Sequence, residues 1–156
     1  MAMLTTHQFL CSFLAFILYT GVAYQTPDIP AADKVCGKWQ MVGESLIIQV
    51  YRDGGEFKAK IVWFDDEDDT KPTDYWKDIR NPDPNLRNRK ILGMNVVEKL
   101  AYNAKTDSWE DGMIYDAKHG RHWNASAYIN KEGLLKVKGY WHFKFIGKTI
   151  TFKRVN

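Results

Sequence analysis

From Cys36 onward apolar residues alternate with polar ones at a period of two, and turn signals recur at short intervals. Successive side chains of a strand point to opposite faces, so this alternation predicts many short antiparallel strands, each with one face toward a core and the other toward water. Leu46, Ile48 and Val50 form one apolar row, and Phe57, Ala59, Ile61 and Trp63 form the next against Glu56, Lys58 and Lys60. The turn Asp53, Gly54, Gly55 joins the two rows into a hairpin. The C-terminal half repeats the device with Trp123, Ala125, Ala127, Ile129, then Leu135, Val137, Gly139, Trp141, then Ile150, Phe152, Arg154. Gly-containing turns at 116–120, 130–133 and 145–148 separate these runs, and connections this short make successive strands neighbours. The predicted fold class is all-β: an antiparallel up-and-down meander of about eight strands that removes its exposed edges by closing into a barrel.

Two stretches break the pattern. Between residues 65 and 90 the period is lost in an acidic run, Asp65, Asp66, Glu67, Asp68 and Asp69, followed by Pro72 and the Asn81-Pro82-Asp83-Pro84 turn. Long excursions inside a compact domain tend to be functional or held by their own contacts. Residues 91–100 fit a strand or one short helix, and periodicity does not separate the two.

At the N-terminus, residues 9–23 are a nearly unbroken apolar run that ends in Gly21, Val22, Ala23. The run is shorter than the roughly 20 residues of a spanning helix and ends on small residues, which predicts a signal peptide over 1–23, a linker over 24–35 and a single barrel domain over 36–156. The expected location is the periplasm or the extracellular space, with no membrane span after cleavage. Cys11 falls in the leader, so Cys36 remains alone, without an internal disulfide partner. The formal net charge of +3 is small and its basic residues are dispersed, which argues against nucleic acid as a partner.

The ends of the barrel identify its architecture. Strand parity puts Trp39 of Gly37-Lys38-Trp39 and Arg154 of the last strand on inward faces, where a guanidinium stacked on the indole gives an inward charge a reason to be there. In this the chain resembles the lipocalin and fatty-acid-binding superfamily, which implies that Gly37, Trp39 and Arg154 close the barrel. A longer ordered set resembles a bacterial family known as domain of unknown function 2147. It comprises Gly37-x-Trp39, Asn81-Pro82-Asp83-Pro84-x-Leu86-Arg87-x-Arg89 leading to Gly93, Gly112-x-Ile114-Tyr115-Asp116 with Gly120, Leu135-x-Val137-x-Gly139-Tyr140, and Lys153-Arg154-Val155. That resemblance implies a small secreted or periplasmic lipocalin-like barrel and carries no activity with it. The acidic insert and the Trp141-His142-Phe143 stretch depart from the family pattern.

Candidate chemistry concentrates in few places. Asn81 and Asp83 with Arg87 and Arg89 are the first-choice ligand site, because two guanidiniums bind a carboxylate or phosphate bidentately; the competing reading is a proline-set turn whose arginines pair with nearby acids. Trp63 and Trp141 are expected to point inward with Trp39, Phe57, Trp123 and Phe152, lining whatever opening the barrel keeps. The acidic run lacks the spacing of an EF-hand loop, and His119 and His122 lack a third metal ligand other than Asp116. Asn124-Ala125-Ser126 matches a glycosylation sequon in mid-strand. Nothing pairs a nucleophile with a base, so the expectation is a protein that is not an enzyme and uses no cofactor. Two functions remain: a module that binds a small apolar or amphipathic molecule at the barrel mouth, and an envelope scaffold with a filled barrel that docks a protein partner through residues 65–90.

Overall fold

The computed structural model describes residues 29–65 and 70–155; the expected signal peptide and residues 66–69 of the acidic run lie outside them. Eight antiparallel strands follow one another around a closed barrel. They are β1 (Gly37–Met41), β2 (Leu46–Asp53), β3 (Glu56–Phe64), β4 (Asn95–Asn103), β5 (Ser108–Asp116), β6 (Arg121–Ile129), β7 (Leu135–Tyr140) and β8 (Gly147–Val155). Residues 91–100 therefore resolve as the approach to β4 and its first two-thirds. Among the described residues no helix is long and apolar enough to cross a membrane.

The barrel closes between β1 and β8, where Trp39 faces Arg154 in the register. The inward rows are those the alternation predicts: Trp39, Ile48, Val50, Phe57, Ala59, Ala125, Ala127, Val137 and Phe152 are all buried. Bulges interrupt the ladder in β3–β4 and β5–β6, with Lys99 and Asp111 at positive φ. An added residue at such a bend sharpens the local coiling a small barrel needs.

Topology gives the barrel two different ends. One end carries the chain entry and the β2–β3, β4–β5 and β6–β7 turns, and the other carries the β1–β2, β3–β4, β5–β6 and β7–β8 connections. The first end is plugged. Residues Ala31–Val35, inside the stretch read as a linker, form a 3-10 helix, and Val35 sits in the core at 1% exposure. Two indoles hold this plug: Trp39 Nε1 donates to the Val35 carbonyl at 2.8 Å and Trp109 Nε1 to that of Ala32 at 3.0 Å. Arg154 completes it, with its guanidinium 4.2 Å from the Trp39 ring centroid and its N–H groups donating to the carbonyls of Cys36 and Lys34. A Cβ at Gly37, which sits at φ +135°, would run into Arg154 Nη1 and displace the guanidinium from its place over the plug. The short Gly-x-Trp signature is thus one half of a stacking device whose other half lies more than a hundred residues away.

Behind the plug the barrel is solid. The void enclosed by Ile48, Val50, Val97, Leu100, Leu135 and neighbouring apolar groups is only about 10 Å³, far below the few hundred Å³ of a small-molecule pocket.

Candidate functional site

The excursion between β3 and β4 folds into a small lobe of its own. Its two arms zip together, with Asp78 N bonded to Arg89 O, Ile91 N to Trp76 O, and a bridge between Lys77 and Lys90. At its tip Asp83 caps the turn, accepting from Asn85 N at 2.9 Å, while Pro84 opens the 3-10 helix Pro84–Leu86. Prolines at such positions preset the backbone, so this tip is built by local sequence.

Asp78 anchors the lobe to the barrel. Its carboxylate is fully buried and accepts from the Tyr115 hydroxyl at 2.6 Å, from Asn81 Nδ2 at 2.7 Å and from Arg89 Nε at 2.9 Å. Tyr115 lies on the outer face of β5, next in sequence to Ile114, which packs against the core. The Arg89 guanidinium also lies over the Tyr115 ring at 5.2 Å, and the His122 ring is tilted against it at 4.8 Å. Burial first, and then the Asp78 carboxylate, push the Tyr115 hydroxyl up to about 12. A second weld lies alongside: Arg80 donates to the Lys118 carbonyl at 2.8 Å, and Gly120 passes so close to the Arg80 carbonyl that no Cβ fits.

These contacts engage the residues of the first-choice site. Asn81 is buried inside the network, Arg87 Nε donates to the Asn81 carbonyl at 2.7 Å, Arg89 is committed to Asp78, and Asp83 to its cap. The structure brings the four residues together as a structural weld, with Asp78 and Tyr115 as members that the motif alone did not single out. Asp78 was hidden because it is one acid among many; its spacing to Arg89 becomes meaningful only when the two arms pair.

The indoles expected inside are distributed differently. Trp39, Phe57 and Phe152 are buried, whereas Trp63 is 41% exposed and Trp141 59% exposed. The β2–β3 register slips between Ile47 and Ile48, so Trp63 pairs with Ile47 on the outward row instead of continuing the inward row of Ile61, and Trp141 lies one residue beyond β7. Trp123 is half-buried inside the mouth and meets the Trp141 ring edge-on at 5.6 Å. From there a file of rings, His142, Phe143 and Phe145, continues over the rim, each contacting the next or the one after. Two bonds hold this rim segment: Asn124 Nδ2 donates to the Trp141 carbonyl at 2.7 Å, and Lys144 pairs with Glu110. The sequon asparagine is therefore engaged in a backbone contact. Burial alone would raise the Glu110 carboxyl, but hydrogen bonds from Lys144 and Ser108 outweigh it and hold it below its ordinary value.

Other candidates resolve into local pairs. His119 Nδ1 lies 2.7 Å from Asp116 Oδ2, and among the described residues no group of three or more His, Cys, Asp or Glu is placed to hold a metal ion. Cys36 is half-buried, and burial followed by the charge of Asp33 pushes its thiol up. A depression of about 330 Å³ lies over the β1–β2 turn, from Gln40 to Ser45 with Lys153, and has no aromatic ring in its walls.

A closed eight-stranded antiparallel barrel with an Arg of its last strand stacked on the first-strand Trp is lipocalin-like. The chain belongs to the bacterial family described as "Uncharacterized protein conserved in bacteria (DUF2147)", which it matches over residues 37–154. It is similar to protein HP1028 of Helicobacter pylori, which is described as belonging to the lipocalin family: the two share 26% identity over 78% of this chain and 82% of that one, with a TM-score of 0.66. No curated protein matches the chain.

Proposed function

We propose that this protein binds a small apolar or amphipathic molecule at the open mouth of its barrel, outside the cytoplasm. The observation that carries the reading is the pair Trp123 and Trp141, one half-buried within the mouth and one exposed on its rim, in edge contact at 5.6 Å. Large indoles left in water at the end of a small barrel are costly unless something covers them, since each offers roughly 150 to 250 Å² of surface. The solid interior confines a ligand to the mouth, so the site is shallow and grips one apolar segment. Export follows from the apolar leader and is part of the proposal.

The test is titration of the mature protein with the neutral fluorescent amine N-phenyl-1-naphthylamine, followed by its emission and by quenching of intrinsic tryptophan fluorescence. Saturable one-to-one binding that falls at least ten-fold in Trp123→Ala and Trp141→Ala supports the reading. Absence of saturable binding, or binding indifferent to both substitutions, overturns it.

The second reading is a scaffold with a protein partner, favoured by the solid core and by Phe143, Phe145 and Ile146, which are 59%, 79% and 64% exposed. In that case the contact surface is the β7–β8 rim, because the face of the 65–90 excursion that carries Asp78 is already spent on the barrel wall.

A further inference from the structure

Charge is distributed unevenly around the outside of the barrel. Strands β6, β7, β8 and β1 are consecutive in the closed sheet and contain no Asp or Glu. The strand acids all lie on the rest of the wall: Asp53 and Glu56 beside the β2–β3 turn, and Glu98, Glu110, Asp111 and Asp116 on β4 and β5. Glu44 and Glu132 occupy turns at the two ends of the acid-free side. Away from that side Lys58 is paired with Asp53 and Glu56, and Lys90 with Asp74.

On the acid-free side the outward rows set lysines on adjoining rungs. Lys138 and Lys136 alternate with the inward residues of β7; Lys136 is opposite Thr151, and Lys153 stands two residues beyond Thr151 on β8. Lys153 is in turn opposite Gln40, two residues from Lys38 of β1. Outward residues two apart on a strand, or diagonal across a pair, are about 7 Å apart, so these four lysines form a continuous run. Lys136 donates to Thr151 Oγ1 at 2.8 Å, and none of the four is ion-paired among the described residues. The connection between β7 and β8, the strands that carry three of them, is apolar at its tip. Phe143, Phe145 and Ile146 are exposed, the two phenyl rings stack at 5.5 Å, and Ile146 N donates to Phe143 O at 3.0 Å. Lys144 of the tip is neutralised by Glu110.

We infer that the β7–β8 hairpin docks this protein on the surface of an anionic lipid bilayer, its tip residues Phe143, Phe145 and Ile146 entering the interface and the lysine run facing the headgroups. A soluble polyanion would satisfy the lysines and leave the rings in water. An apolar protein groove would cover the rings and leave the lysines without partners. A bilayer places a negative headgroup layer directly beside an apolar interior, and interfacial binding draws on both. Aromatic rings suit that boundary. The acids of β4 and β5 oppose contact through their own wall, so the charge asymmetry also selects the orientation. The surface is the outside of the barrel, and the inference stands whether or not the mouth holds a ligand.

The experiment is co-sedimentation of the full mature chain with phosphatidylcholine vesicles, with and without phosphatidylglycerol, on variants whose circular dichroism matches the parent. The parent is expected to partition at least ten-fold more strongly onto the phosphatidylglycerol vesicles, and less so as salt screens the lysines. Lys138→Glu/Lys153→Glu and Phe145→Ser/Ile146→Ser are each expected to lower that partition at least ten-fold. Lys105→Glu/Lys118→Glu, in the β4–β5 and β5–β6 turns, makes the same change in net charge and is expected to retain it. No vesicle binding, equal binding to both vesicles, or an equal loss in the control pair overturns the inference. Binding that needs the lysines but ignores the tip substitutions also overturns it, and assigns the lysine run to a soluble polyanion.

Discussion

Asp78, on the lobe between β3 and β4, accepts a 2.6 Å hydrogen bond from the hydroxyl of Tyr115, on the outer wall of β5. One carboxylate thus ties the least regular part of the chain to the most regular. With Asn81 and Arg89 on its other oxygen, the carboxylate is fully satisfied, as a buried charge must be.

Asp78→Ala leaves the Tyr115 hydroxyl, the Asn81 amide and the Arg89 guanidinium without their acceptor. Removing one partner of a buried charged network is expected to cost on the order of 3 kcal/mol. Urea denaturation checks the stability, and limited proteolysis checks that new cleavage falls within residues 65–94.

The Tyr115 hydroxyl also sets a pH dependence. Its folded value is pushed up to about 12 from an ordinary 10.0, so the unfolded chain loses this proton first as pH rises. The associated stability is fully present below pH 10, declines from there and is gone above about 12. In urea melts across this range Tyr115→Phe is expected to show a shallower alkaline decline than the parent; equal slopes would remove Tyr115 from the account.

Gly120 is expected to tolerate no substitution. It combines φ +63° with an Arg80 carbonyl oxygen only 2.0 Å from where a Cβ would stand, so Gly120→Ala adds left-handed strain to a steric collision. The expected loss is on the order of 2 kcal/mol. Gly133, at φ +75° with open space around it, is the control: Gly133→Ala carries only the strain, about 1 kcal/mol. Thermal melts of the two variants measure the difference.

At the plugged end, Trp39→Ala is expected to cost about 3 to 5 kcal/mol, as for a fully buried large aromatic. Arg154→Ala removes a solvent-facing cap over the indole and is expected to cost less, about 1 to 2 kcal/mol. If urea denaturation finds either variant as stable as the parent, the closure assigned to this pair fails.

The sequence by itself determined the barrel. Period-two alternation placed β2, β3, β6, β7 and β8 and their inward rows, because burying one face of a strand imposes its own register. Gly37, Trp39 and Arg154 were legible because an inward Arg has few physical solutions. The tertiary structure alone decided what the irregular segments do. Nothing local says that residues 31–35 plug the barrel or that Asp78 meets Tyr115, since both depend on which surfaces the closed barrel leaves open. Nor does parity foresee a bulge or say where a strand ends, so it could not distinguish Trp39, deep in the core, from Trp63, turned outward by the β2–β3 slip, and Trp141, beyond the end of β7.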